Sequence, residues 1–142
     1  MTATARPSAV GRPAYSQMLC RKPQSAAVAR QMVRTVLDTW HLSQLVGEAE
    51  HVASELVANA VDHACGRYMR LTVTRVGEGR VRLDVIDKSH DKPAPRIPEP
   101  SEEHGRGLAV VDAFSRTWGV EILDGGKRVW AELESGAAEG DQ

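Results

Sequence analysis

The stretch HVASELVANAVDHA, residues 51–64, carries a carboxylate, an amide and an imidazole at Glu55, Asn59 and His63, each four residues from the last. On a helix, side chains at that spacing project side by side. An amide oxygen such as that of Asn59 is a good ligand for a hard cation like Mg²⁺, which usually keeps most of its waters. A carboxylate one turn away, here Glu55, can accept a proton from an attacking hydroxyl or water. The same residues would also suit the polar edge of an ordinary amphipathic helix, because two-residue patterns are common.

Two more places invite chemistry. Asp87 closes the apolar run VRLDVID. A carboxylate at the C-terminal end of a strand can accept a hydrogen bond from an exocyclic amine, such as that of adenine. It can equally begin a turn. Gly105-Arg106-Gly107 precedes the helical pattern LAVVDAF. Glycines let backbone approach an anion, free helix N–H groups favour phosphate, and Arg106 can add a charged donor. A flexible helix entry reads the same way. No Walker P-loop is present, and Gly125-Gly126-Lys127 falls in a hairpin turn.

These residues must be positioned by regular elements. YSQMLCR (15–21) predicts a first strand. Residues 25–42 predict a helix with Ser25 as N-cap and a stripe of Val28, Met32, Val36, Leu37 and Trp40. A second helix spans about 44–64 and ends near Cys65-Gly66. Leu71 and Val73 alternate with Thr72 and Thr74, and Val81, Leu83 and Val85 with Arg82 and Asp84. Gly77-Glu78-Gly79 lies between them, so residues 68–87 predict a hairpin. Residues 88–104 hold four of the seven prolines and predict a mobile lid. A helix follows from 105. A second hairpin turns at Asp124-Gly125-Gly126 and closes the order. Antiparallel hairpins with helices between them imply an α+β two-layer sandwich, with helices on one sheet face and the other face wet.

Composition bounds the function classes. The 142 residues suit one domain, and a net charge of −1 gives no global footprint for nucleic acid. Residues 1–34 carry six basic groups and no acid, and the last eleven residues carry four acids and no base. Residues 1–13 read as a disordered arm, 14–134 as the domain, and 135–142 as a disordered acidic tail. Arg30 and Arg34 lie on a helix, where a partner contact is plausible. Cys20 and Cys65 show no metal-ligand spacing, which argues against zinc and fits a reducing compartment. No apolar run is long enough to span a bilayer and no signal-peptide core is visible, so a cytoplasmic protein without a membrane partner is expected.

Taken in order, these signals resemble the GHKL (Bergerat-fold) ATP-binding domain, and in particular the small bacterial anti-sigma-factor serine/threonine kinases and short actinobacterial ATP-binding regulators. ELVANAVDHA resembles their asparagine box. DVIDKSHDKPAPR stands at the first glycine box, HGRGLAVVDAFSRTWGV is similar to the second, and GGKRVWAEL looks like the closing strand. The likeness covers about residues 15–134.

The resemblance implies ATP and Mg²⁺ as cofactors. Asn59 would hold Mg²⁺ against the phosphates, and Glu55 would be the general base or orient one. Asp87 would read the adenine amino group, and Gly105, Arg106, Gly107 and Leu108 would line the phosphates. His63 would contact phosphate or only complete the helix. The first glycine box departs from D-x-G-x-G, with Asp87-Lys88-Ser89-His90-Asp91 and no glycine. The family's Thr beside the adenine-reading Asp would fall near Arg128 or Val129. The implied function is a protein kinase regulating transcription, with a sigma factor or an anti-sigma-factor antagonist as partner and no direct nucleic-acid contact; a homodimer is left open. A binding module of the same fold that regulates a partner by contact alone is the alternative.

Overall fold

The computed structural model describes residues 6–7, 12–63, 65–88 and 105–135. Burial rather than intrinsic preference makes its central helix. That helix, α2 (Val46–His63), contains Val46, Val52 and Val57, all buried. A β-branched residue costs a helix up to about 0.7 kcal/mol, whereas burying a valine returns roughly 1.5 kcal/mol or more. Packing wins. Val52, Ala53, Leu56, Val57 and Ala60 form the stripe that faces the core.

Helix α1 (Ser25–Thr39) precedes it, joined through a 3₁₀ turn at Ser43–Leu45. The expected N-cap is corrected: Gln24 holds that position without a side-chain cap, and Ser25 is the first helical residue. The Ser25 hydroxyl instead donates to the Cys20 carbonyl at 2.7 Å, tying the helix to the preceding strand. The buried stripe of α1 is Ala29, Met32, Val33, Val36 and Leu37. Val28, placed in the stripe by its spacing, is 43% exposed. At the other end His41 adopts φ 62, and Leu42 N–H reaches back to the Leu37 carbonyl. His41 N–H bonds the Asp38 carbonyl. This is a Schellman closure with histidine in the place glycine usually takes.

The strands are β1 (Arg6–Pro7), β2 (Ala14–Cys20), β3 (Cys65–Gly77), β4 (Arg80–Lys88), β5 (Thr117–Leu123) and β6 (Gly126–Glu134). They form one six-stranded sheet in the order β1-β2-β3-β4-β6-β5, antiparallel at every neighbour. Helix α3 (Gly105–Phe114) connects β4 to β5 across the span left undescribed. The α+β sandwich expected from the sequence is the observed fold, with core side chains of α1, α2, α3 and the sheet in one buried cluster.

Three boundaries move. Arg6–Pro7, inside the stretch read as an arm, pairs with Ser16 and Tyr15 of β2. Strand β5 begins at Thr117, where the sequence pattern carries the helix from 105 to 120 and the hairpin from 120 to 134, because the last helical bond of α3 is from Ser115 N–H to Val111. Thr117, Trp118 and Val120 are strand formers. Ser135, placed in the tail by composition, is buried; its N–H bonds Gly79, and its hydroxyl accepts from Gln44 at 3.0 Å.

The helix-free face of the sheet is only partly wet. Asp84 on that face is buried to 7% exposure. Arg82 covers it from its own strand, stacked at 4.8 Å over Trp130 and paired with Glu132. Arg128 reaches Asp84 at 3.8 Å and Glu121 at 2.6 Å. Burial is the first cause that raises the Asp84 carboxyl to about 6, against the lowering charges of Arg128 and Arg82.

Candidate functional site

Alternation along β4 directs the site's carboxylate. Val81, Leu83 and Val85 are buried under the helices, and Asp87 follows in the same phase. It is 2% exposed. A buried carboxylate is costly unless it is paired. Its partner comes from the neighbouring strand, where Lys127 stands directly opposite in the β4–β6 register. Lys127 Nζ donates to Asp87 Oδ2 at 2.9 Å. Among the described residues the other oxygen, Oδ1, is buried and has no hydrogen-bond partner. Burial raises the Asp87 carboxyl above its ordinary range, and the hydrogen bond and charge of Lys127, then the charge of Arg21, pull it back.

The strands meet closely here. A Cβ on Gly126 would overlap the Asp87 carbonyl oxygen. The turn before it needs Gly125 at φ 87, a conformation side chains rarely adopt. On the other side β3 bulges between Cys65 and Met69, opposite Lys88 and Asp87. Asp87 thus sits where the chain leaves α2 and enters the sheet.

Arg21 fastens that junction. Its Nη1 donates to the Val61 carbonyl at 2.6 Å and its Nε to the Gly66 carbonyl at 2.7 Å. These bonds satisfy a carbonyl in the last turn of α2. They also bring the charge that Asp87 feels to the end of the helix bearing Asn59 and His63.

On α2, Glu55, Asn59 and His63 prolong a row that begins at His51, whose ring meets Phe114 of α3 edge-on at 5.4 Å. Glu50 and Ser54, on the other flank, pair with Arg34 and Arg30 of α1. The row therefore lies on the flank of α2 that turns toward α3. Glu55 and Asn59 are half-buried and His63 is exposed. Gly105, Arg106, Gly107 and Leu108 form the first turn of α3, whose backbone N–H groups are free of helical partners by geometry; their side chains lie outside the described residues.

A sequence profile of the histidine kinase-like ATPase domain matches residues 20–133. The chain belongs to that family. No curated protein matches it. As a GHKL-type domain it is an ATP-binding fold.

The ATPase domain's own residues fit the base of a nucleotide. Asp87 Oδ1 is a buried acceptor without a partner among the described residues, and an exocyclic amine is a donor of the kind such an acceptor takes. Among the described residues no cluster of His, Cys, Asp and Glu could hold a metal unaided. Among the described residues no helix is long and apolar enough to cross a membrane.

One expectation is overturned. The residue beside Asp87 on the closing strand is Lys127, not Arg128 or Val129. Arg128 pairs with Ile86 and reaches for Asp84 on the helix-free face, and Val129 pairs with Val85 in the core. Lys127, Gly126 and Arg21 were missed as site residues because their role depends on pairing across distant segments. The available signal was the hairpin turn: Asp124-Gly125 as the two turn residues sets the β5–β6 pairing and the length of β6. The segment from 89 to 104, read as a lid and glycine box, lies outside the described residues.

Proposed function

We propose that this chain is an ATP-dependent regulator that phosphorylates a small antagonist protein on serine or threonine and so controls a sigma factor, as the resemblance to anti-sigma-factor kinases implies. The observation that carries the nucleotide part is the unsatisfied Oδ1 of Asp87, buried at the strand end beside α2. Phosphoryl transfer asks a protein mainly for positioning and charge stabilisation, so a small domain suffices. Asn59 holds the Mg²⁺ that accompanies the phosphates. The first turn of α3, with Arg106, receives the phosphate charge. Glu55, one turn before Asn59, takes the proton from the attacking hydroxyl. Bound ATP supplies the phosphoryl group.

Two observations favour a second reading, a module that represses its partner by contact alone. Half of the base-reading carboxylate is already occupied by Lys127 within the protein. The glycine-poor segment after Asp87 points the same way.

Radiolabelled transfer to a partner isolated from the native host separates the two. Glu55→Gln cannot accept a proton and should lower transfer about 10²–10⁴-fold, with nucleotide affinity changed by no more than a few-fold. Asn59→Ala should weaken Mg²⁺-nucleotide binding and transfer together. If the wild type transfers no phosphate and Glu55→Gln represses as well as wild type, the kinase reading fails and the binding module remains.

A further inference from the structure

Arg21 joins three elements that the sequence places far apart. It stands just beyond β2, where its backbone N–H donates to the Arg67 carbonyl at 2.7 Å. Its guanidinium spans the joint between α2 and β3. Nη1 donates to the Val61 carbonyl at 2.6 Å, in the last turn of the helix, and Nε to the Gly66 carbonyl at 2.7 Å, at the start of the strand. Gly66 adopts φ 91, a conformation that favours glycine, so the chain turns between the two held carbonyls. A guanidinium is planar and keeps its donors at a fixed separation. Two carbonyls bound to it are therefore held at a set distance from each other. They belong to opposite ends of the proposed nucleotide site. Val61 lies two residues beyond Asn59 on α2. Gly66 lies in the β3 irregularity opposite Lys88 and Asp87.

We propose that Arg21 is a positioning residue: its two side-chain bonds set the spacing between Asn59 at the phosphate end and Asp87 at the base end, so that one nucleotide engages both. This rests on the nucleotide-binding reading above and adds to it a residue that acts through the backbone. A ligand gains from two contacts only when the geometry lets both form at once. Charge alone does not supply that geometry. Burial raises the Asp87 carboxyl, Lys127 is the principal influence against it, and the charge of Arg21 adds to Lys127. A lysine at position 21 keeps a positive charge there but loses the rigid pair of donors. The substitution therefore separates the spacing role from the electrostatic one.

The test is an NMR titration of the full chain with Mg²⁺-ADP, which reaches both ends of the site, and with adenosine, which reaches only the base end. Arg21→Lys should bind Mg²⁺-ADP about tenfold more weakly than wild type, the size of one hydrogen bond to a charged group, and adenosine as well as wild type does. An equal loss of both ligands overturns the proposal, because a general loosening of the fold acts on either. Unchanged binding of Mg²⁺-ADP overturns it as well. A wild type that binds neither ligand overturns the nucleotide reading and the proposal with it. A second readout needs no variant. Linkage is reciprocal, so a ligand that depends on the Arg21 bonds must also strengthen them. Exchange of the Arg21 Nε–H with solvent should slow in wild type with Mg²⁺-ADP and stay unchanged with adenosine; the same rate with both contradicts the spacing role.

Discussion

Lys127 Nζ lies 2.9 Å from Asp87 Oδ2, and the two residues face each other directly across the β4–β6 ladder. Burial raises the Asp87 carboxyl, and Lys127 is the principal influence against it. Removing the ammonium leaves a buried, uncompensated charge, which is strongly destabilising.

Lys127→Met should therefore cost about 2–3 kcal/mol near neutral pH, toward the low side for a buried pair because Lys127 retains some exposure. The sign with pH follows. A carboxyl raised in the folded state loses stability as pH climbs from its unfolded value through its folded one. The variant raises the folded value further, so its deficit should be full at neutral pH and shrink on acidification. Urea melts of both proteins across the acid range check this; a deficit independent of pH would mean that Asp87 is not ionised against Lys127.

Gly126→Ala tests the close approach of the two strands. Its new Cβ meets the Asp87 carbonyl oxygen, a backbone atom that cannot rotate away. Overpacking of that kind costs typically about 1–3 kcal/mol, and here it would also displace Asp87. The expected outcome is a lower melting temperature together with weaker ADP binding. Unchanged stability would show that the strands separate freely at this point.

Much of this was legible in the chain. The alternation of Leu71 and Val73, then of Val81, Leu83 and Val85, is local information and led directly to the hairpin. The row of Glu55, Asn59 and His63 was visible for the same reason, since helical spacing brings such residues together. What escaped depends on register between distant strands. A shift of one residue exchanges the faces of a whole strand, so placing Arg128 or Val129 beside Asp87, where the register puts Lys127, brought the wrong side chain to the site. Asp84 was also misjudged. Its phase places it on the solvent face, but Arg82, Trp130 and Arg128 close over it, and such cover is a tertiary fact. Val28 occupied an apolar position in the pattern of α1, yet the core it would have joined lies on the side of Ala29 and Val33.

Asp84 gives a pH prediction separate from the site. Its carboxyl, raised to about 6 chiefly by burial, stays protonated in the folded chain while an unfolded Asp ionises near its model value of 3.8. Folding stability contributed by this group is intact below that lower value and falls as pH rises toward about 6. The loss is on the order of 2–3 kcal/mol. Asp84→Asn cannot ionise, so its stability relative to wild type should rise across this interval. A constant difference between the two proteins would place the Asp84 titration at its ordinary value.

The central claim, that Asp87 anchors a nucleotide, is tested most directly by calorimetric titration of Mg²⁺-ADP into the wild-type chain and into Asp87→Asn. Asparagine keeps the shape but replaces one acceptor oxygen with a donor NH2, so either Lys127 or the adenine amine meets a donor instead of an acceptor. The wild type should bind, and at ligand concentrations of ~100 times the dissociation constant its stability should rise by ~2.7 kcal/mol. The variant should bind at least about tenfold more weakly, as for loss of a hydrogen bond to a charged group. Absence of heat from the wild type at millimolar nucleotide, or equal affinity in the two proteins, would contradict the account.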